Sequence, residues 1–317
     1  MKNNGSKKGR GLSALLIIAF AALFCVSAYK VGSQLLTEHR EQSAFNELVA
    51  DISADRPTRQ APATRTPKPA HETETPDMAA PDASTTPAPG SPEPAQEEQP
   101  TPSAITPEPT PTSEPTPTPE PTEVPPMLEA YARLYQRNHD IFGWITIEGT
   151  KVDFPVMHTP RDPEYYLHKS FNRTYAYSGV PFMDSLCFPG CGNYIIYGHH
   201  MKNGTMFAPI VGYAEEAFWQ EHPVIYFDTL YEMGAYEIVG VFYSRVFAPE
   251  ETDVFRYYLY NDLRDPANFA DYMAQVRAAA LYDTGVVVEY GDQLITLSTC
   301  EYSEKDNRFI VVARKID

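Results

Sequence analysis

A thiol, an imidazole and a guanidinium each stand at the boundary of a run that reads as a β-strand. Gln293-Leu294-Ile295-Thr296-Leu297 is apolar and rich in β-branched residues. It follows a turn at Gly291-Asp292, and it leads through Ser298 and Thr299 into Cys300. A cysteine closing a buried strand is held rigidly, which suits a nucleophile. Arg308 opens the next run, Phe309-Ile310-Val311-Val312-Ala313, and His199 follows Tyr194-Ile195-Ile196-Tyr197-Gly198. Brought together, these groups supply a nucleophile, a proton shuttle and a clamp for a carbonyl or oxyanion. That is the equipment for acyl transfer through a thioester. Each residue alone carries little, since a lone cysteine is more often structural and a lone loop histidine is more often solvated. The combination in the order His, Cys, Arg carries the weight. Papain-like hydrolases place the cysteine before the histidine, so the order counts against that class.

The elements that must position these groups are mostly short strands. Candidates run over Ile141 to Ile147, Val152 to His158, Val180 to Met183, Val224 to Phe227, Tyr236 to Val246 and Val286 to Glu289, besides the three above. Leu128, Tyr131, Leu134 and Tyr135 are spaced for a short amphipathic helix. Ala214 to Glu221 predicts a second helix. Asp265 to Leu281 predicts a longer one, with Pro266 in its first turn and Phe269, Tyr272, Met273, Val276 and Ala280 along one face. Many short strands with few helices indicate a mainly β fold, a barrel or sandwich carrying helical insertions.

Composition divides the chain. Most of its 30 prolines lie between Pro57 and Pro126, where Thr-Pro and Glu-Pro pairs repeat and large apolar residues are nearly absent. Such a segment buries too little surface to offset its ordering entropy, so residues 56–126 read as a disordered linker and 127–317 as the folded catalytic domain. With 42 acidic and 25 basic side chains the net charge is −17, which argues against a nucleic-acid partner. Of the four cysteines, Cys187 and Cys191 flank a Phe-Pro-Gly turn, where they either close a small disulfide loop or stay free thiols. No Cys/His cluster has metal-ligand spacing, so neither a metal nor another cofactor is expected.

The N-terminus reads as a membrane anchor. Residues 1–11 are basic and cytoplasmic, and 12–31 form a nearly unbroken apolar run of roughly the length that spans a hydrocarbon core. Residues 32–55 are helix-compatible and juxtamembrane. The rival is a cleaved signal peptide, because Val26-Ser27-Ala28 resembles a cleavage site. Phe24 stands where a lipoprotein would carry a small residue before Cys25.

Thr296-Leu297-Ser298-Thr299-Cys300, Tyr197-Gly198-His199-x-Met201 and the Arg308-Phe309-Ile310-Val311-Val312 strand together resemble a sortase of class B. Leu281 to Val286 after a long helix looks like the class B insertion. The resemblance covers essentially all of 127–316. It implies an eight-stranded β-barrel with an N-terminal helix and a long helical insertion before the penultimate strand. It implies a membrane-anchored transpeptidase of Gram-positive type, single-pass, with its catalytic domain outside the cell. Secreted proteins bearing a C-terminal sorting motif would be cleaved after Thr and passed to an amine of the peptidoglycan precursor. The catalytic residues carried over are His199, Cys300 and Arg308; Tyr197, Ser298 and Glu301 would line the substrate groove. The alternatives are an extracellular cysteine peptidase and a non-catalytic wall-binding module.

Two positions depart from the class pattern: His200 stands where Asn is common, and the Cys187–Cys191 turn is atypical. Strand alternation would put Ile195, Tyr197 and His199 on one face, favouring His199 over His200 as the shuttle. A thiol near pKa ~8.5 and an imidazole near ~6.5 are both mostly neutral at about pH 7, so slow turnover is expected.

Overall fold

The computed structural model describes residues 6–56, Arg59, 125–300 and 307–316, with residues 6–18 and Cys300 described by their backbone. Residues 1–5, most of the 56–126 linker and Glu301 lie outside the described residues.

The alternating and continuous apolar runs form eight strands. These are β1 (Ile141–Thr146), β2 (Asp153–Met157), β3 (Phe182–Met183), β4 (Asn193–Tyr197), β5 (Val224–Thr229), β6 (Ala235–Arg245), β7 (Leu294–Cys300) and β8 (Asn307–Ile316). They close into a barrel in the order β1-β2-β3-β4-β7-β8-β6-β5, with β5 returning to β1. Closure leaves every strand with two partners and no open edge. Ile195, Val241, Leu297 and Val311, from four different strands, are fully buried.

The pair β4–β7 is parallel. Parallel neighbours cannot be joined by a hairpin and need a crossover. Here the crossover carries the short helix α3 (Glu216–Glu221), strands β5 and β6, and helix α4 (Pro266–Ala279). The sequence sets the start of α4 clearly. Asp265 caps it by accepting from the amides of Ala267 at 2.8 Å and Asn268 at 3.0 Å, and Pro266 occupies the first turn. Phe269, Tyr272, Met273 and Val276 are its buried face.

Val286 to Glu289 is not a strand. Both ladder partners of β7 are already taken by β4 and β8, so no edge is free to pair with it. Local side chains satisfy its backbone instead: the Glu289 amide donates to Asp292 Oδ2 at 2.9 Å, and the Val286 amide to Thr284 Oγ1.

Helix α1 (Ser6–Ser53) is long and apolar enough to cross a membrane, and its apolar side chains from Phe20 to Val31 are exposed. Its last turns differ. Phe45, Leu48 and Ile52 recur at helical spacing and are buried against the barrel, with the Phe45 ring edge-on to Phe154 at 5.1 Å. Helix α2 (Glu129–Arg137) clamps the same end, pairing Arg133 with Asp55 and Arg137 with Asp51. Past the helix, Arg56 reaches Asp153 at 2.7 Å and Thr146 at 2.8 Å. Arg59 meets Asp228, a fully buried carboxylate that also accepts from Tyr131. Buried carboxylates are tolerated only with such partners. Residues 45–56 and Arg59 therefore pack with the folded domain.

Ile52→Ala in the full chain is expected to cost about 2–5 kcal/mol of stability in a denaturant titration, because the cavity opens against the barrel wall. An unchanged midpoint would mean that the helix end does not dock.

Candidate active site

Backbone pairing sets two of the three candidate residues opposite each other and brings the chain that carries the third alongside. In the antiparallel β7–β8 ladder, Cys300 lies opposite Arg308. In the parallel β4–β7 ladder, Tyr197 pairs with Ser298, and the Gly198 amide donates to the Ser298 carbonyl at 3.1 Å. The ladder ends there, one residue before Gly198-His199 on one chain and Thr299-Cys300 on the other. Thr299 ties the two chains just beyond the ladder, donating through Oγ1 to the Gly198 carbonyl at 2.7 Å. Strand β7 is thus flanked by the histidine on one side and the arginine on the other.

Strand β4 stops at Tyr197, so strand alternation does not extend to His199. Other contacts set the ring. His199 Nε2 lies 2.9 Å from the Leu167 carbonyl, at the end of the 3-10 turn Tyr165–His168. A carbonyl only accepts, so Nε2 carries the proton, and among the described residues Nδ1 is left without a hydrogen-bond partner. The His199 imidazole lies near-parallel to that of His168, with centroids 5.3 Å apart and planes 21° apart. Burial lowers its pKa below the ordinary histidine range; the Leu167 contact opposes this, and the nearby His168 and Arg308 add to it. Its neighbour His200 instead forms a bridge with Met206.

Gly198 is required by close approach. A Cβ there would lie 2.6 Å from the Phe207 ring, whose own amide donates to the His199 carbonyl at 2.9 Å.

Comparison with known proteins decides the family. The family model for the Sortase domain matches residues 145–316. Sortase B of Listeria monocytogenes is 35% identical over 180 residues, covering 55% of this chain and 67% of the relative. Sortase B of Staphylococcus aureus is 31% identical over 190 residues, covering 59% and 74%. Among solved structures, a Staphylococcus aureus sortase B–substrate complex superposes with a TM-score of 0.53 at 27% identity, covering 60% of this chain and 86% of that one. The chain belongs to the sortase family, class B. Its activity is that of a cysteine transpeptidase that anchors surface proteins.

The sortase barrel places the remaining candidates as follows. Tyr197 is half-buried and donates its hydroxyl to Asp184 Oδ2 at 2.9 Å; burial and that carboxylate raise its pKa. Ser298 is buried, its Oγ 2.8 Å from the Tyr257 hydroxyl. Two residues before it on β7, Thr296 donates to Asn193 Oδ1 at 2.9 Å and lies 2.6 Å from the Tyr272 hydroxyl of α4. The crossover insertion is thereby stitched to the strand that ends in Cys300. Cys187 and Cys191 are buried free thiols, each donating to the Asn193 carbonyl, at 3.4 and 3.3 Å. Among the described residues, no group of three or more His, Cys, Asp or Glu could hold a metal ion.

Leu167, His168 and Tyr257 were not legible as site residues. The aromatic-dense run Tyr165-Tyr166-Leu167-His168, followed by Tyr175 and Tyr177, was the available signal. Nothing in its spacing says that it meets a residue more than 30 positions away.

Gly198→Ala is expected to keep the barrel but lower transpeptidation by roughly 10²-fold, because the histidine segment must move away from Phe207. Peptide-transfer rates close to those of the parent chain would show that Phe207 yields instead.

Proposed function

We propose that Cys300, His199 and Arg308 carry out the two acyl transfers, and that the exposed apolar start of α1 holds the domain at the outer face of the membrane. The supporting observation is that β7 pairs Cys300 with Arg308 on one side, while on the other Thr299 Oγ1 bonds the carbonyl of Gly198, the residue before His199. The Cys300 thiolate attacks the carbonyl of the threonine in a sorting motif, forming a C–S bond and a tetrahedral oxyanion. Arg308 supplies its fixed fork of N–H donors to that oxygen. The C–N bond then breaks. The leaving amine takes a proton from His199 Nδ1, while Nε2 stays on the Leu167 carbonyl. In the second half an amine of the peptidoglycan precursor attacks the thioester. His199 Nδ1 takes up the proton it releases, and the thiolate departs.

The ionisation states set the pace. Burial favours neutral His199, so the imidazolium that must protonate the leaving group is the minor form at neutral pH. Holding the enzyme on the same membrane as its substrates raises their effective concentration and offsets slow turnover.

Mass spectrometry of the chain mixed with a sorting peptide should detect an acyl adduct on Cys300, discharged by triglycine and absent in Cys300→Ala. Arg308→Lys keeps the charge but loses the paired donors, and turnover should fall about 10²–10³-fold. An adduct elsewhere, or near-normal turnover in Arg308→Lys, would overturn the respective role.

A further inference from the structure

We infer that His168 is a positioning residue for His199, and that the N-terminal helix holds it in place through Glu41. The inference builds on the reading of His199 as proton shuttle. Two consecutive residues act on the His199 ring: the Leu167 carbonyl fixes Nε2, and the His168 imidazole lies along its plane at 5.3 Å. His168 is itself held. Its Nδ1 lies 3.2 Å from the Tyr177 carbonyl, and its ring is within 20° of parallel to the Tyr177 ring, with centroids 6.3 Å apart. The chain between them folds back on itself, with Lys169 bridged to Tyr175 and the Ala176 amide on the His168 carbonyl at 3.1 Å. Gly179 closes this loop in the left-handed region at φ 58°, where a Cβ would lie 2.3 Å from the Leu167 carbonyl oxygen.

The residue that His168 grips is gripped again from its other side. The Tyr177 amide donates to Glu41 Oε1 at 2.7 Å, and the Ser178 amide to Glu41 Oε2 at 3.2 Å. A carboxylate accepting two backbone N–H groups makes charge-assisted bonds, roughly twice as strong as neutral ones. Glu41 sits on α1 four residues before Phe45, and Phe45, Leu48 and Ile52 fix that helix on the barrel. The Tyr177 backbone therefore links the helix to the candidate active site: its N–H is bound to Glu41, and its carbonyl to His168.

Charge gives the arrangement a measurable signature. Among the described residues, the charged or titratable groups acting on His199 are His168 and Arg308. Around His168 stand the rings of Tyr175 and Tyr177, while Lys169 is turned onto Tyr165 and Glu41 onto the two amides. The nearby His168 is one of the causes that lower the His199 pKa, after burial. Replacing His168 by an uncharged ring keeps the stacking and removes the repulsion.

The test uses the full chain in detergent micelles, assayed with a sorting peptide and triglycine over about pH 5 to 9, with the histidine Cε1–H resonances followed by NMR. His168→Ala and Glu41→Ala should each lower kcat by roughly tenfold with KM held within about twofold, since orientation is lost and not substrate binding. The double variant should be no worse than His168→Ala, because Glu41 acts through His168. His168→Phe should recover most of the rate and raise the pH at which His199 titrates. Unchanged kcat in both alanine variants, additive losses in the double variant, or an unshifted His199 titration in His168→Phe would each overturn the inference. Retained transpeptidation in His199→Ala would instead remove the role assigned to His199 itself, an outcome the NMR titration does not depend on.

Discussion

The parallel pairing of β4 with β7 is the constraint on which the rest depends. There the early part of the barrel, on the chain that continues to His199, is hydrogen-bonded directly to the strand that ends in Cys300. Its register fixes which residue meets which, because a slip by one would turn every side chain to the other face. Buried Ile195, Ile196 and Leu297 and the polar Asn193–Thr296 contact make such a slip costly. The crossover that parallel pairing requires then becomes the insertion whose Tyr257 and Tyr272 support Ser298 and Thr296. The same pairing that builds the site also creates the loop that braces it.

The second constraint is electrostatic. Asp153 and Asp228 are carboxylates of the barrel wall. Asp153 accepts from the Trp144 indole and from Arg56, and Asp228 from Tyr131 and Arg59. The two arginines come from the chain just after α1, not from the barrel. Burying Asp228 without its partner would leave a charge uncompensated, so the barrel and the end of the N-terminal helix are folded as one body. The apolar contacts of Phe45, Leu48 and Ile52 and the Glu41 contact to Tyr177 and Ser178 lie along the same helix. The juxtamembrane helix thus reaches the loop that holds His168 and His199.

The sequence by itself determined the class of fold, the insertion helix and the chemistry. Strands of alternating or continuous apolar character, the Asp265-Pro266 helix start and the motifs that resemble a sortase are local signals, and local signals survive in one dimension. Where a local pattern lacked a partner, it misled: Val286 to Glu289 has strand composition, but a closed barrel offers it no edge. Only the tertiary structure decided which nitrogen of His199 is held, because the answer sits in a carbonyl of Leu167 far away in the chain. Only the tertiary structure joined Glu41 to Tyr177 and His168 to His199. These contacts depend on how the helix and the loop close over the barrel, and hydrogen bonds between distant residues leave no periodicity for a sequence to display.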